Sequence, residues 1–377
     1  MKAIHVGGLN YKNGGPSLST YLTIQGLLNN GVEAHCVSRA LDSGDKLICE
    51  ESLVSFMKKP LISLMGLELI PGINSTIEEL SPIDIIHLQG IWSYHMHKAA
   101  RYAIHHRIPY IIAPRGSLYP EALRISSLKK KISMFCYQRK ELEQASCVQV
   151  TCNKELEYYR ELGYRNPVAV LPNPMEVSNN KIETRDVTRF GYLGRLHPRK
   201  RVERLIYAFA EKKDYFRDCE LWIIGSEISE YEAFLKNEVR RLNLNNVYFK
   251  GFLEGSEKEE ALSSLSFLIN PSDFENFGNV ITEALSKGVP IIATKGSPWQ
   301  IVEDYHCGWW INNDQQTITN TMMEAKSVSS DDRIIMGLNG RRLVEKEFSV
   351  NVLGSKMKHL YNWILNGGST PSFVDLV

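Results

Sequence analysis

Short apolar runs alternate with amphipathic stretches along the first 172 residues, stop at a polar, proline-bearing segment, and then begin again. KAIHVG (2–7), VEAHCVS (32–38), DIIHLQ (84–89), PYIIAP (109–114), CVQVT (147–151) and PVAVLP (167–172) have the length and β-branched content of strands. Between them, residues 16–31, 93–107, 127–145 and 154–163 carry apolar residues at helical spacing. Strand, helix, strand in repetition means a parallel sheet with crossover helices. LPNPMEVSNNKIET (171–184) has no apolar period and reads as a linker. The alternation then restarts with TRFGYLG, LWIIG, NVYFKG, SFLIN, VPIIAT and GWWI as strands, and three helical stretches close the chain. The expected fold is α/β: two Rossmann-like, doubly wound parallel-sheet domains, 1–172 and 187–349, joined by 173–186. Such sheets bind ligands at the carboxyl ends of their strands, so a cleft between the domains is the expected site. The last helix, about 350–377, is expected to pack back on the first domain.

At 377 residues the chain is too long for one comfortable core. Apolar content of 43% and charged content of 23% are those of a soluble globular protein. Seven cysteines without a CxxC pair argue against a disulfide framework or zinc ribbon and for a reducing cytosol. The opening MKAIHVGGLN is expected to be a buried strand rather than a leader. No run reaches the roughly 18–20 apolar residues of a membrane span. A formal net charge of +1 gives nucleic acid no reason to bind, and none is expected as a partner.

Three stretches carry chemistry. In HVGGLNYKNGGPS (5–17) a strand runs into a glycine loop, and Pro16 sits where a first helical turn would begin. Gly14 and Gly15 would let a phosphate approach the backbone there; a tight strand-to-helix turn is the plainer alternative. In FGYLGRLHPRKRVERLIYAF (190–209), Arg195 and Lys200 follow a strand and precede a helix, where an anion would lie. Arg199, Arg201 and Arg204 read as solvated helix surface. In DFENFGNVITEALSKGVPIIAT (273–294), Glu275 and Glu283 stand with seven residues between them. On a continuous helix they would lie about 12 Å apart along the axis, too far to flank one glycosidic bond. They could bracket the two ends of a nucleotide sugar, with amides of Phe277, Gly278 and Asn279 toward its diphosphate; an ordinary acidic helix remains the alternative. His87, near a strand's carboxyl end, is a candidate to face the cleft or to be a buried strand histidine. No Asp-x-Asp, HExxH or CxxC occurs, so no metal or other cofactor is expected.

Together these stretches resemble the retaining, family-4 glycosyltransferases of the GT-B fold, over nearly the whole chain. The resemblance is strongest in GRLHPRKRVERLI (194–206) and in PSDFENFGNVITEALSKGVPIIAT (271–294), which has the family's E-x7-E frame. GGPS (14–17), IHLQGIW (86–92), APRGSLYPEAL (113–123), LPNP (171–174) and GSPWQIVEDYHCGWWI (296–311) look like members that build bacterial surface polysaccharides. The resemblance implies that Arg195 and Lys200 neutralise the departing diphosphate and that Glu283 binds the donor ribose. It sets Glu275 beside the transferred sugar, with Asn276, Phe277, Gly278 and Asn279 also on the donor and Gly14 and Gly15 over its phosphates. Arg195, Lys200 and Glu275 are thus the candidate catalytic residues. Where many members carry a histidine, this chain has Arg115, which departs from that pattern. Arg115 and His87 are candidate donor or acceptor contacts, without a proton-transfer role for the arginine.

The implied activity is transfer of a sugar from a UDP-, GDP- or dTDP-sugar to a glycan hydroxyl with retention. The expected acceptor is a lipid-linked oligosaccharide of O-antigen, capsule or exopolysaccharide synthesis, met at the cytoplasmic membrane face. Residues 52–72, with Lys58 and Lys59, and the basic stretch 126–140 could rest on anionic lipid, or be a packed loop and a solvated helix. A nucleotide-sugar epimerase of the same fold and a non-catalytic nucleotide-sugar binder are the rival readings.

Overall fold

The computed structural model of the chain describes residues 1–11, 14–58, 62–64, 67–69, 72–178, 182, 187–227 and 230–377. They form two compact units, Met1–Pro174 with Ser349–Val377, and Met175–Phe348.

In the first unit an eight-stranded sheet runs Val374–Asp375, Val168–Val170, Cys147–Val150, Tyr110–Ile112, Ile85–Leu88, Lys2–Val6, Glu33–Arg39, Val54–Met57. Neighbours are parallel except Val374–Asp375, which lies antiparallel to Val168–Val170. Ile85–Leu88 and Cys147–Val150 are buried at every position, His87 and Gln149 included, so neither shows the alternation of a half-exposed strand. The two edge strands escaped the sequence reading. Val374–Asp375 is too short to show a period, and Val54–Met57 lies in the stretch weighed for lipid contact. Val54 and Met57 are in fact core residues. Beyond them Ile62–Leu64 pairs antiparallel with Leu67–Leu69. Residues 59–61, 65–66 and 70–71 of that stretch, Lys59 included, lie outside the described residues, as do 179–181 and 183–186 of the linker.

The last helix, Val350–Asn366, lies against helix Gly15–Asn29. Two glycines make the crossing: a Cβ on Gly354 would stand 2.1 Å from the Gly26 carbonyl oxygen. Met357, Leu360 and Tyr361 thereby join the core formed by Ala3, Ile24, Leu27, Ile85 and Ile111.

The second unit holds a six-stranded parallel sheet in the order Val247–Gly251, Glu220–Ile224, Arg189–Leu193, Phe267–Asn270, Ile291–Thr294, Gly308–Ile311. All six are runs named from the sequence. The chain starts in the middle, works outward to one edge, then returns to build the other side. The order reverses between Arg189–Leu193 and Phe267–Asn270, and sheets of this kind bind ligands at the carboxyl ends beside such a reversal. Two apolar clusters form the unit's core. Among the described residues no helix is long and apolar enough to cross a membrane.

Candidate functional site

The strands on either side of that reversal deliver the residues singled out from the sequence. Arg189–Leu193 runs into Gly194 and Arg195, then a short 3-10 turn, Pro198–Lys200. Phe267–Asn270 runs into the turn that carries Ser272, Asp273 and Glu275. The two connections are stitched together. Asp273 N–H donates to the Arg199 carbonyl at 2.9 Å, and Arg201 Nε donates to Asp273 Oδ2 at 2.5 Å. Arg204 bonds Asn313 and lies 3.8 Å from Asp273. Arg201 and Arg204 are therefore fasteners of the site, not the solvated surface expected of them, because the turn after Asn270 brings Asp273 within their reach.

Lys200 and Glu275 form an ion pair, with both side chains mostly shielded from water. The Glu275 oxygen that meets Lys200 Nζ, Oε1, also accepts from Ser272 Oγ at 3.0 Å and Asn270 Nδ2 at 3.3 Å. All three donors converge on Oε1, and Oε2 takes no hydrogen bond from the described residues. The Glu275 amide donates to the Gly296 carbonyl at 2.8 Å, which fixes the backbone beneath. Arg195 is exposed, and its guanidinium makes no hydrogen bond or ion pair among the described residues. Its carbonyl is tied down by the buried Tyr192 hydroxyl at 2.8 Å, whose pKa is driven well above the usual value first by burial and then by the Glu275 charge.

The helix between the two glutamates spans only Asn279–Ser286. Glu275 precedes it by four residues, so the 12 Å helical separation does not apply. Gly278 is its N-cap, in the left-handed region at φ +82°, where a side chain would be strained. No side chain caps this end and no carboxylate occupies its first turn, so the amide end is open to an anion. The Phe277 ring is buried against Trp299 and Phe348, which leaves only its backbone for a ligand. Asn276 and Asn279 stand beside it, part-exposed. Glu283 is buried. Lys258 Nζ lies 2.6 Å from its Oε2, but off the line of a hydrogen bond, so that oxygen lacks a directed donor. Lys258, Asn270 and Ser272 were missed from the sequence. Asn270 had a visible signal, a polar side chain closing the apolar run SFLIN at the ligand-bearing strand end.

In the first unit, Gly14 caps helix Gly15–Asn29 at φ +59°, with Pro16 in the first turn and again no acidic residue there. Arg115, in the turn after Tyr110–Ile112, bonds Gln89 and Asn173. Burial lowers its pKa to about 10, so it stays a cation at neutral pH. His87 is corrected. It is wholly buried, its Nδ1 lies 2.8 Å from the Tyr361 hydroxyl, and burial holds its pKa well below the ordinary range. Tyr361 of the returning C-terminal helix covers it. No cluster of His, Cys, Asp or Glu suited to a metal occurs among the described residues.

Residues 176–341 match the family described as glycosyl transferases group 1, and residues 14–174 the glycosyl transferase 4-like domain. A GDP-mannose-dependent alpha-mannosyltransferase of Mycolicibacterium smegmatis is 30% identical over 125 residues, 33% of this chain and 30% of that protein. The capsular polysaccharide biosynthesis glycosyltransferase CapM of Staphylococcus aureus is 24% identical over 216 residues, 54% of this chain and 55% of its own length. The chain thus spans about a third to a half of these relatives. Among solved structures, HepE of Anabaena in complex with UDP and glucose superposes with a TM-score of 0.73 at 18% identity, covering 96% of this chain and 99% of that one. WaaG, involved in lipopolysaccharide biosynthesis, gives 0.68 at 16%, covering 97% and 100%. At such identities these two likenesses speak for the fold.

Proposed function

The chain belongs to the family-4 glycosyltransferases of the GT-B fold, and from that premise we propose that it moves a sugar from a nucleotide-diphosphate donor to a glycan hydroxyl with retention at the anomeric carbon. The observation that carries this is the arrangement at one strand-order reversal. At the ends of the two strands stand a guanidinium and a carboxylate oxygen without partners among the described residues, an ammonium paired to that carboxylate's other oxygen, and a helix start without a side-chain cap. That is the charge pattern of a diphosphate joined to a polyhydroxyl group.

In this reading Arg195, Lys200 and the amide end at Gly278–Asn279 stabilise the negative charge that grows on the leaving diphosphate. Glu275 Oε2 accepts from hydroxyls of the transferred sugar, while Oε1 is held by its three donors. Glu283 Oε2 accepts from the ribose. The acceptor hydroxyl attacks the anomeric carbon on the face from which the diphosphate departs. The bond from that carbon to the phosphate oxygen breaks, and that oxygen takes the hydroxyl's proton. No protein nucleophile is required, and no metal is assigned a role.

The acceptor we assign is a lipid-linked glycan of surface-polysaccharide synthesis, in keeping with the relatives named for capsule and O-antigen. Helical stretch 127–144 supports a contact with anionic lipid at the cytoplasmic membrane face. Ile125, Leu128, Ile132 and Phe135 are 65%, 71%, 56% and 92% exposed, and Leu128, Ile132 and Phe135 recur at helical spacing beside Lys129 and Lys131. Such a stripe is costly in water and complements a negatively charged apolar surface.

Incubating the protein with UDP-, GDP- and dTDP-sugars, with and without glycan acceptor, tests the reading. Nucleotide release that depends on acceptor and yields the retained anomer is expected. Turnover of the donor sugar without acceptor would point to an epimerase instead, and binding without turnover to a non-catalytic role.

A further inference from the structure

Arg115 holds an uncommon backbone for a non-glycine residue, φ +50°, in the turn after strand Tyr110–Ile112. The turn is fastened by the buried Glu155, which accepts from the Gly116 amide at 2.5 Å and from the Thr151 amide and hydroxyl at 2.9 and 3.0 Å. The guanidinium itself is held by neutral side chains. Nε donates to Gln89 Oε1 at 3.1 Å, Nη2 donates to the same oxygen, and Nη1 donates to Asn173 Oδ1 at 2.8 Å. Three of its five N–H groups are used in this way, and two are left over among the described residues.

The partners fix a direction along a buried chain. An arginine only donates, so Gln89 turns its oxygen to Arg115 and its Nε2 to His5 Nδ1, 2.9 Å away. His5 Nδ1 is then an acceptor, and His5 carries its proton on Nε2, 3.2 Å from the Tyr361 hydroxyl. Tyr361 accepts there and donates to His87 Nδ1 at 2.8 Å. Both imidazoles are neutral in this scheme, which agrees with burial lowering His5 to about 3 and His87 in the same direction. Room for the chain is built in: a Cβ on Gly7 would lie 2.9 Å from Gln89 Cβ. The relay starts beside the sheet's own strand-order reversal, between Lys2–Val6 and Ile85–Leu88, and ends on the helix that Gly26 and Gly354 bring into the unit.

We propose that Gln89 and Tyr361 are positioning residues of the transfer reaction, holding the Arg115 guanidinium so that its two unspent N–H groups meet an anionic or hydroxyl group of the substrates. The inference rests on the transferase reading. It makes the C-terminal helix part of the reactive apparatus as well as of the core.

A double-mutant cycle on the full chain tests it, with kcat, donor KM and thermal melting measured for each variant. Gln89→Met and Tyr361→Phe each lower kcat by about tenfold or more, the scale of a hydrogen bond to a charged group. In an Arg115→Ala background each costs less than about twofold, because the residue it acts through is gone. A residue with a merely structural part would cost as much in either background. Additive losses, or full kcat in Arg115→Ala, would overturn the inference while leaving the transferase reading intact. A wild-type chain that transfers no sugar would remove both. Should Gln89→Met fail to fold, the Tyr361→Phe arm, which deletes one oxygen from a filled site, decides the matter.

Discussion

At the scale of single residues, the site works by sharing out the two oxygens of one carboxylate. Lys200, Ser272 and Asn270 hold Glu275 Oε1, so in the proposed reaction the side chain would be ordered before a sugar arrives and Oε2 would be presented at no further entropic cost. Glu275→Ala and Lys200→Ala are each expected to lower kcat/KM by about 100-fold or more, the size of a lost charge-stabilising contact in a transition state. Glu238→Ala, which removes a pair with the exposed Arg241 and a hydrogen bond with Tyr207, is expected to stay within about twofold. Steady-state kinetics of the three variants checks this, and equal losses would undo the assignment. The E-x7-E pair and the two cations were legible in the sequence. Which oxygen of Glu275 is engaged was not, because Asn270 and Ser272 act through a turn geometry that no spacing encodes. His87 shows the opposite limit: its position on a strand was read correctly, but only the return of Tyr361 from 274 residues away decides that it is covered.

Elements carry the next two predictions. Helix Asn279–Ser286 offers its amide end because Gly278 turns the chain in through φ +82°. Gly278→Ala is expected to destabilise the protein by about 1–2 kcal/mol through backbone strain, read by urea denaturation, and to weaken nucleotide-sugar binding in calorimetry. Unchanged affinity in a folded variant would detach the helix end from the phosphate. The stripe Leu128, Ile132 and Phe135 makes a different claim. Liposomes containing anionic lipid are expected to retain the wild-type chain, and Leu128→Ser with Phe135→Ser to lose most of that binding. Reversing Lys129 and Lys131 should weaken it further at low salt. Lys130 is expected to matter less than its neighbours, since its ammonium donates to the Ala122 carbonyl at 2.5 Å and lies 5.8 Å from the Trp92 ring centroid. Retention unaffected by the serine pair would leave the stripe without a lipid role. A run of three lysines in a sequence cannot show that one of them points inward.

Over the whole molecule, burial of neutral histidines sets the pH response. His5 and His95 are lowered from 6.5 to about 3 and about 4, and His87, His35 and His97 shift the same way, in each case chiefly through desolvation. Their folded forms bind fewer protons than the unfolded chain, so stability is present above pH 6.5 and is lost as pH falls. Each fully buried histidine removes about 1.4 kcal/mol per pH unit down to its folded value. Glu141, raised to about 8, and Glu155, also raised, act in the opposite sense between their unfolded value and their folded one. Five groups against two leave the histidines dominant. The urea midpoint is expected to fall between pH 6.5 and 4.5, and a flat profile would contradict this. By itself the sequence determined the alternation, and with it twelve of the fourteen strands of the two large sheets, together with the placement of Arg195, Lys200 and Glu275 after strands and of Glu283 on the helix that follows. These are matters of local period and chain direction, which a short window contains. The tertiary structure alone decided that Tyr361 closes over His5 and His87, and that Asp273 gathers the arginines. Such contacts join residues far apart in the chain, and they exist only once packing has brought two surfaces within hydrogen-bonding distance.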